Sequence, residues 1–327
     1  MRPGVPPTPA GPVMTASGTD LAEPLHEGVP FGSPAGLAAQ LAPRLRSAID
    51  AEGPVLAVLG GPESDALRAE LGEAAGHVEF LVPADVYRLP AFTVAVRWAR
   101  LSRQTVPGGY ATVVAQHTDL TDGGGPGYWA RLDAALDVAL PGLPVEVLCP
   151  FPDDIDERAL RGSTHRTLLS AGHSVPALGY RTPLDVIADF PPPPPPELGR
   201  PVETREFALD GLSGLRRAVA EVSTDAGLST ERVADFVLAV NEIASNSVEH
   251  GPGSGTLRLW QLGSGPGGHV VAEVRDGGRM HVSFPGLVAP PPSGARGRGL
   301  WLASELSDVL QVWSDDTGTV IRVTMSL

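Results

Sequence analysis

The sequence has no lysine; all 24 basic side chains are arginine. That absence removes the phosphate-binding loop built on an invariant Lys, Schiff-base catalysis and any lysine general base. There is one cysteine, Cys149. It excludes an intrachain disulfide framework and a multi-cysteine zinc site, and it fits a reducing cytoplasm. No apolar run approaches the roughly 18–20 residues of a membrane span, and the first residues lack the apolar stretch of a signal peptide. Basic charge is also in deficit, 24 residues against 38 acidic, net -14. That argues against direct nucleic-acid binding and against attachment to an anionic membrane. Asparagine occurs twice, as Asn241 and Asn246, five positions apart. Compositional drift in an Ala-, Gly-, Pro- and Arg-rich chain explains why asparagine is scarce. It does not explain why the two that remain share one segment.

At roughly 150 residues per domain, 327 residues favour two domains. The 42% hydrophobic content supplies real cores, while 39 Gly and 34 Pro predict long loops. Residues 1–20, rich in Pro, Gly, Ser and Thr, read as a disordered tail. From Leu37 onward, helical periodicity alternates with short apolar runs. Helices are predicted at 37–49, 63–71, 92–101 and 128–140, and strands at 54–59, 78–82, 110–116 and 145–149. Such alternation predicts a parallel sheet covered on both faces. Pro191 to Pro196 are six consecutive prolines, a stiff polyproline II spacer that marks a domain boundary.

Beyond the linker the pattern changes. A strand at 205–209 precedes helices at 212–226 and 230–250. Strands at 256–262 and 270–275, a Gly/Pro-rich loop at 277–294, a helix at 299–306 and strands at 310–314 and 319–326 follow. This reads as helices beside a mostly antiparallel sheet, an α/β sandwich. Three segments there carry chemistry. Glu242 and Asn246, four apart on a helix, share one face. An Asn amide oxygen is a hard ligand for Mg²⁺, and a Glu can orient or deprotonate a hydroxyl; a surface Glu/Asn pair fits the same spacing. The run Val270 to Gly278 ends a strand in Asp276, with Gly278 two residues on. The Asp can accept from the exocyclic amine of adenine and the Gly admits a flat ring, or the pair is a simple turn. Gly294-Ala-Arg-Gly297-Arg298-Gly299 runs straight into an amphipathic helix. Free amides at a helix start form an anion site, to which Arg296 and Arg298 can add charge-assisted contacts; a flexible loop with solvated arginines is the alternative.

In order and spacing, Glu-x-x-x-Asn, Asp-x-Gly, a Gly-x-Gly helix start and a strand opening Gly318-Thr319 resemble the GHKL ATPase superfamily, over about 205–327. The short form here looks most like the anti-sigma-factor serine/threonine kinases. The resemblance implies ATP and Mg²⁺ as cofactors, with Glu242 as catalytic base and Asn246 as magnesium ligand. It also implies Asp276 and Gly278 at adenine, Gly297, Arg298 and Gly299 at phosphate, and Thr319 supporting the adenine pocket. His250 falls where the family often places a polar residue near phosphate; a helix-end histidine is the equal alternative. Met280 stands where the fuller histidine-kinase box carries a glycine, and no phosphoacceptor hairpin precedes the domain, which makes autophosphorylation on histidine an unfavoured outcome.

Leu25 to Phe31, Cys149-Pro150-Phe151 and Thr164-His165-Arg166 resemble the MEDS sensory domain, over about 21–189. Phe151-Pro152 and Arg166 depart from its usual pattern. The resemblance implies a RecA-like or Rossmann-like sheet whose ligand would sit at the strand ends near Gly60-Gly61, His117-Thr118 and Cys149. His26, His117 and His165 read as loop or core histidines. A metal site is disfavoured, since only His165 and His173 have usable short spacing. Cys149 reads as a packed small hydrophobe. The expected organisation is a tail at 1–20, a sensory domain at 21–189, a linker at 190–204 and an ATPase domain at 205–327.

The expected function is a cytoplasmic regulator that phosphorylates a Ser/Thr of an anti-anti-sigma (STAS-type) partner. The alternatives are an ATP-gated module that sequesters a sigma factor, for which the long lid at 280–298 argues, and a histidine-kinase-like ATPase acting in trans. Family resemblance also implies a homodimer, and a small ligand for the sensory half.

Overall fold

The computed structural model describes residues 26–105, 109–118, 127–154, 164–170, 172–290 and 298–327. The expected tail at 1–20 and Gly297, together with Gly294 and Arg296, lie outside them.

The first sheet has seven strands: β1 (His26–Phe31), β2 (Val55–Val58), β3 (Val78–Leu81), β4 (Ala111–Ala115), β5 (Val145–Pro152), β6 (Thr167–Ser170) and β7 (His173–Pro176). Their order is β3-β2-β4-β5-β1-β6-β7, and every pairing is parallel except β6 with β7. β1 lies between β5 and β6 and does not neighbour β2, so the order differs from the Rossmann one. One face is packed by α1 (Pro34–Asp50) and α2 (Gly61–Leu71), with Leu37, Leu41, Leu45 and Leu67 against Val29, Ala57 and Leu148. The other face is packed by α3 (Pro83–Tyr87), α4 (Ala91–Leu101) and α5 (Tyr128–Ala139), with Tyr87, Val94, Trp98, Leu132 and Leu136 against Val58, Val113 and Val147. Both faces are buried, which is why β2 reads as an unbroken apolar run rather than an alternating one. A short helix, α6 (Pro183–Asp189), packs Val186 against Ala130 and Ala134 of α5.

The second sheet is antiparallel, in the order β11-β12-β10-β9-β8. Its strands are β8 (Glu203–Ala208), β9 (Ser254–Leu262), β10 (His269–Asp276), β11 (Val309–Asp315) and β12 (Gly318–Ser326). Three helices, α7 (Leu212–Ala226), α8 (Thr230–Glu249) and α9 (Gly299–Leu306), cover one face. Phe236, Val240 and Ile243 of α8 meet Leu257, Val274 and Ile321 there. Ser229 starts α8 by accepting from the amide of Arg232, a helix cap.

The proline segment is not a free spacer. Arg322 donates to the carbonyl of Pro196 at 2.7 Å and Trp260 donates to that of Gly199 at 3.1 Å, so the linker lies along the sheet face opposite the helices. Under it, Arg322 makes a buried ion pair with Glu273. The two halves also meet directly. Thr93, Arg97 and Arg100, on one face of α4, donate to the carbonyls of Leu310, Asp308 and Ser304, and Arg103 pairs with Glu305. The edge strand β11 and the end of α9 are thereby covered by the amino-terminal half, which protects an otherwise open edge. Among the described residues no helix is long and apolar enough to cross a membrane.

Candidate nucleotide site

Where α8, β10, α9 and the loop after β10 converge, a cavity of 390 Å³ opens, within the size range of small-molecule sites, about 300–1,000 Å³. Its wall includes Asn246, His250, Asp276, Gly278, Gly299 and Thr319, six of the residues singled out by motif. Asp276 closes β10. One carboxylate oxygen accepts from the amide of Gly278 at 2.7 Å and the other from the hydroxyl of Ser247 at 2.6 Å. An ionised carboxylate has about four acceptor sites, so two remain for a donor in the cavity. Thr319, opposite Asp276 in the β10–β12 ladder, donates to the carbonyl of Gly278 at 2.8 Å and bonds Ser314. Ser314 in turn accepts from the amide of Met280 at 2.9 Å. The turn after β10 is thus held from both sides.

Glu242 and Asn246 lie along one face of α8, and His250 follows its last turn. Gly299, the first residue of α9, fits against Glu242 and Asn246. A β-carbon there would stand 3.0 Å from the amide nitrogen of Asn246 and 3.1 Å from a carboxylate oxygen of Glu242. A β-carbon at this point would press on the ends of both side chains, so glycine suits the close approach of the α9 amides to the pair. Glu242 itself stands behind the cavity wall, beside Gly299. Arg298 occupies the cap position of α9, exposed and outside the wall. His250 is exposed at the end of α8.

Residues 206–325 match the family described as histidine kinase-like ATPase domain. The carboxy-terminal sandwich is a histidine kinase-like ATPase domain. An ATPase domain implies a site for ATP, and the cavity lies on the elements that carry its motifs. No curated protein matches the chain. Among solved structures, the crystal structure of the RsbU and RsbW domains of Rv1364c from Mycobacterium tuberculosis is similar at 21% identity, over 39% of this chain and 33% of that one, with a TM-score of 0.29. This chain spans a third of that structure's length, and so partial a likeness fixes neither function nor partner.

Several residues that line or support the ATPase domain's cavity escape motif reading. Ser247 and Ser314 position Asp276 and the Gly278 turn; each is a small polar residue beside a motif residue, with no signature of its own. The loop after β10 contributes Val282, Phe284, Pro285 and Val288 to the wall. Its anchors lie in the other half of the protein. Phe284 packs on Phe92 with ring centres 5.6 Å apart, and Leu287 is buried in the core of the seven-stranded sheet. The lid of the ATPase domain therefore rests on the amino-terminal half.

Spacing disfavours a metal site in that half, yet the fold brings His26, Asp133, Cys149 and His165 into one buried cluster. Spacing along the chain is a poor guide where strand pairing, rather than one helix, assembles the group. Cys149 is buried, as a packed hydrophobe would be, but its sulfur lies 3.5 Å from Nε2 of His26. Burial opposes ionisation of that thiol and the neighbouring histidines favour it; the net effect is to hold its pKa well below the usual thiol range. His117 is pulled the other way. Burial alone would lower its pKa, and Asp133 beside it raises it to about 10.

Proposed function

We propose that this protein is a two-domain sensory regulator of the anti-sigma type. The domain at 205–327 binds Mg-ATP and transfers its γ-phosphoryl to a Ser or Thr of an anti-anti-sigma partner. A MEDS-like domain at 21–189, joined through the linker at 190–204, governs that step. The reading rests on one observation: Glu242, Asn246 and the glycine start of α9 converge beside a cavity that Asp276 also lines. Gly299 leaves space that a β-carbon would crowd against Glu242 and Asn246, and an amide oxygen beside it suits a hard cation that keeps most of its own waters. Asn246 would hold Mg²⁺, which neutralises phosphate charge and aligns the transferred group. Asp276, already oriented by Ser247 and Gly278, accepts from the adenine amine. The first amides of α9 face the phosphates, where the helix dipole favours anions. Glu242 takes the proton of the attacking hydroxyl.

The test uses the full-length chain, labelled ATP and a STAS-type partner. The expected product is an acid-stable phosphate on the partner. Glu242→Ala should abolish transfer while Mg-ATP still binds, and Asn246→Ala should weaken magnesium-dependent binding. Transfer that survives in Glu242→Ala would refute the assignment of the base. A second reading, an ATP-gated module that captures its partner without turnover, draws support from the anchoring of the lid by Phe284 and Leu287 in the other domain. Nucleotide-dependent capture with no phosphoproduct selects it. An acid-labile phosphate would point instead to histidine chemistry in trans.

A further inference from the structure

The seven-stranded sheet carries a second constellation, which the nucleotide site does not use. β1 and β5 run side by side, with His26 opposite Val147 and Gly28 opposite Cys149. Alternation turns His26 and Gly28 toward the α5 side of the sheet, along with Cys149, and sends Val29 and Phe31 to the α1 side. Gly28 provides room: a β-carbon there would stand 2.8 Å from the Phe151 ring and 3.4 Å from the His165 ring. α5 lays Asp133 and Asp137, one turn apart, over the same spot. His165 arrives from the segment before β6, and His117 from the end of β4.

His26, Asp133, Cys149 and His165 are all buried, and one donor atom from each lies within 4.8 Å of every other. Sγ of Cys149 is 3.5 Å from Nε2 of His26, which is 3.7 Å from Oδ1 of Asp133. Nδ1 of His165 is 3.8 Å from Oδ2 of Asp133. In a tetrahedral site with metal bonds of about 2.0–2.3 Å, donor atoms stand about 3.3–3.7 Å apart; the Cys149–His26 edge and the edge from His26 to Oδ1 of Asp133 fall in that range, and the remaining edges, all within 4.8 Å, would shorten on binding. Behind His26, Oδ1 of Asp137 lies 2.7 Å from Nδ1. That contact puts the proton on Nδ1 and leaves the Nε2 lone pair aimed into the cluster, the arrangement that carboxylates impose on metal-binding histidines. In front of it, Oδ1 of Asp133 is fully buried and makes no hydrogen bond. Nε2 of His117 lies 3.2 Å away, but in a geometry that makes none. That oxygen therefore keeps acceptor capacity directed into the cluster, which a bound cation would fill.

We propose that the amino-terminal domain binds one divalent transition-metal ion of the zinc class, held by His26, Asp133, Cys149 and His165. The donor set decides the class. A thiolate and two imidazoles suit zinc, cobalt or ferrous iron and not magnesium or calcium. One carboxylate and one thiolate balance a 2+ ion. Four protein donors close the coordination sphere, as structural rather than catalytic sites do. Asp137 is a positioning residue that sets the tautomer of His26. The rival account is a metal-free cluster in which protons on the histidines supply the counter-charge.

The test is cobalt substitution in the full-length, untagged protein, stripped with a chelator and titrated with Co²⁺. One equivalent should give ligand-field bands of tetrahedral intensity together with a thiolate-to-cobalt charge-transfer band. One equivalent of Zn²⁺ should abolish both and raise the melting temperature. Cys149→Ser should lose the charge-transfer band, and Asp137→Asn should bind about 10–100-fold more weakly with the thiolate band retained. Wild-type protein, folded by circular dichroism, that shows no thiolate band and takes up no stoichiometric Co²⁺ or Zn²⁺ overturns the proposal and leaves the proton-balanced cluster. The spectrum of the wild type decides the matter even if a buried variant fails to fold.

Discussion

Gly318 ties the stability of the ATPase domain to the geometry of its cavity. It opens β12 with a φ of 146°, and a β-carbon built there would lie 2.3 Å from the carbonyl oxygen of Asp276. Carbon and oxygen rarely approach closer than about 3.3 Å, so Gly318→Ala forces the ends of β10 and β12 apart by about 1 Å. The obstacle is backbone, not the tip of a flexible side chain. The unfavourable φ costs about 1–2 kcal/mol, and the forced separation about 1–3 kcal/mol. Urea unfolding should therefore show a loss of about 2–5 kcal/mol. Asp276 moves with the strand end, so calorimetry on the variant, below its melting temperature, should also show weaker Mg-ATP binding. Gly277→Ala is the control. It adjoins Asp276, but a β-carbon there meets nothing within 4 Å, so its stability should stay within about 0.5 kcal/mol of wild type. A Gly318→Ala protein that unfolds at the wild-type urea midpoint would refute the reasoning.

Two further outcomes follow from the packing. Burial alone would raise the pKa of Glu273, but hydrogen bonds from Arg275 and Arg322 hold it below the ordinary carboxylate value. Its contribution to stability is therefore present above the unfolded-state pKa of about 4.3 and is lost as pH falls through the lower folded-state value. Glu273→Gln leaves Arg322 buried without its counter-charge and should cost about 3–5 kcal/mol at pH 7, with the gap to wild type narrowing in acid; a gap that does not change with pH would contradict the pairing. Leu287→Ala removes the lid's buried anchor, worth about 1.5–3 kcal/mol. Trypsin should then cleave after the exposed Arg279 about 10–150-fold faster, and an unchanged rate would mean that the lid is held elsewhere.

The docking of α4 against α9 and β11 gives the proposed regulation a physical route. α9 begins at Gly299, against Glu242 and Asn246, and ends at Leu306, near the residues that Arg100 and Arg103 engage. A rearrangement under α4 or around Phe92 would reach the Asn246 and Gly299 side of the cavity through one short helix and the lid. The polar contacts and the Phe92–Phe284 and Leu287 contacts are separate, so variants can test them one at a time.

Much of this protein is local and could be read before any coordinates. Glu242 and Asn246 share a helix face because helical spacing puts them there. Asp276 ends a strand because the apolar run stops and glycines begin. The bounds of α7 and α9 agree with the apolar periodicity. Other features depend on which distant segments pair, and no local pattern carries that. The edge hairpin β6–β7 is short and partly exposed, so it gave no apolar run to read. β1 enters the sheet between β5 and β6, and only this places His26 beside Cys149, 123 residues away in the chain. The linker looked like a spacer because proline composition sets its stiffness; whether Pro196 and Gly199 meet partners depends on Arg322 and Trp260 of the second sheet. Leu287 looked like a lid residue, and its burial depends on a core built by the other half of the chain. Hydrophobic period and turn chemistry act over a few residues and write themselves into the sequence. Strand order and the meeting of the two halves are set by the total surface buried, a sum over the whole fold that no short segment contains.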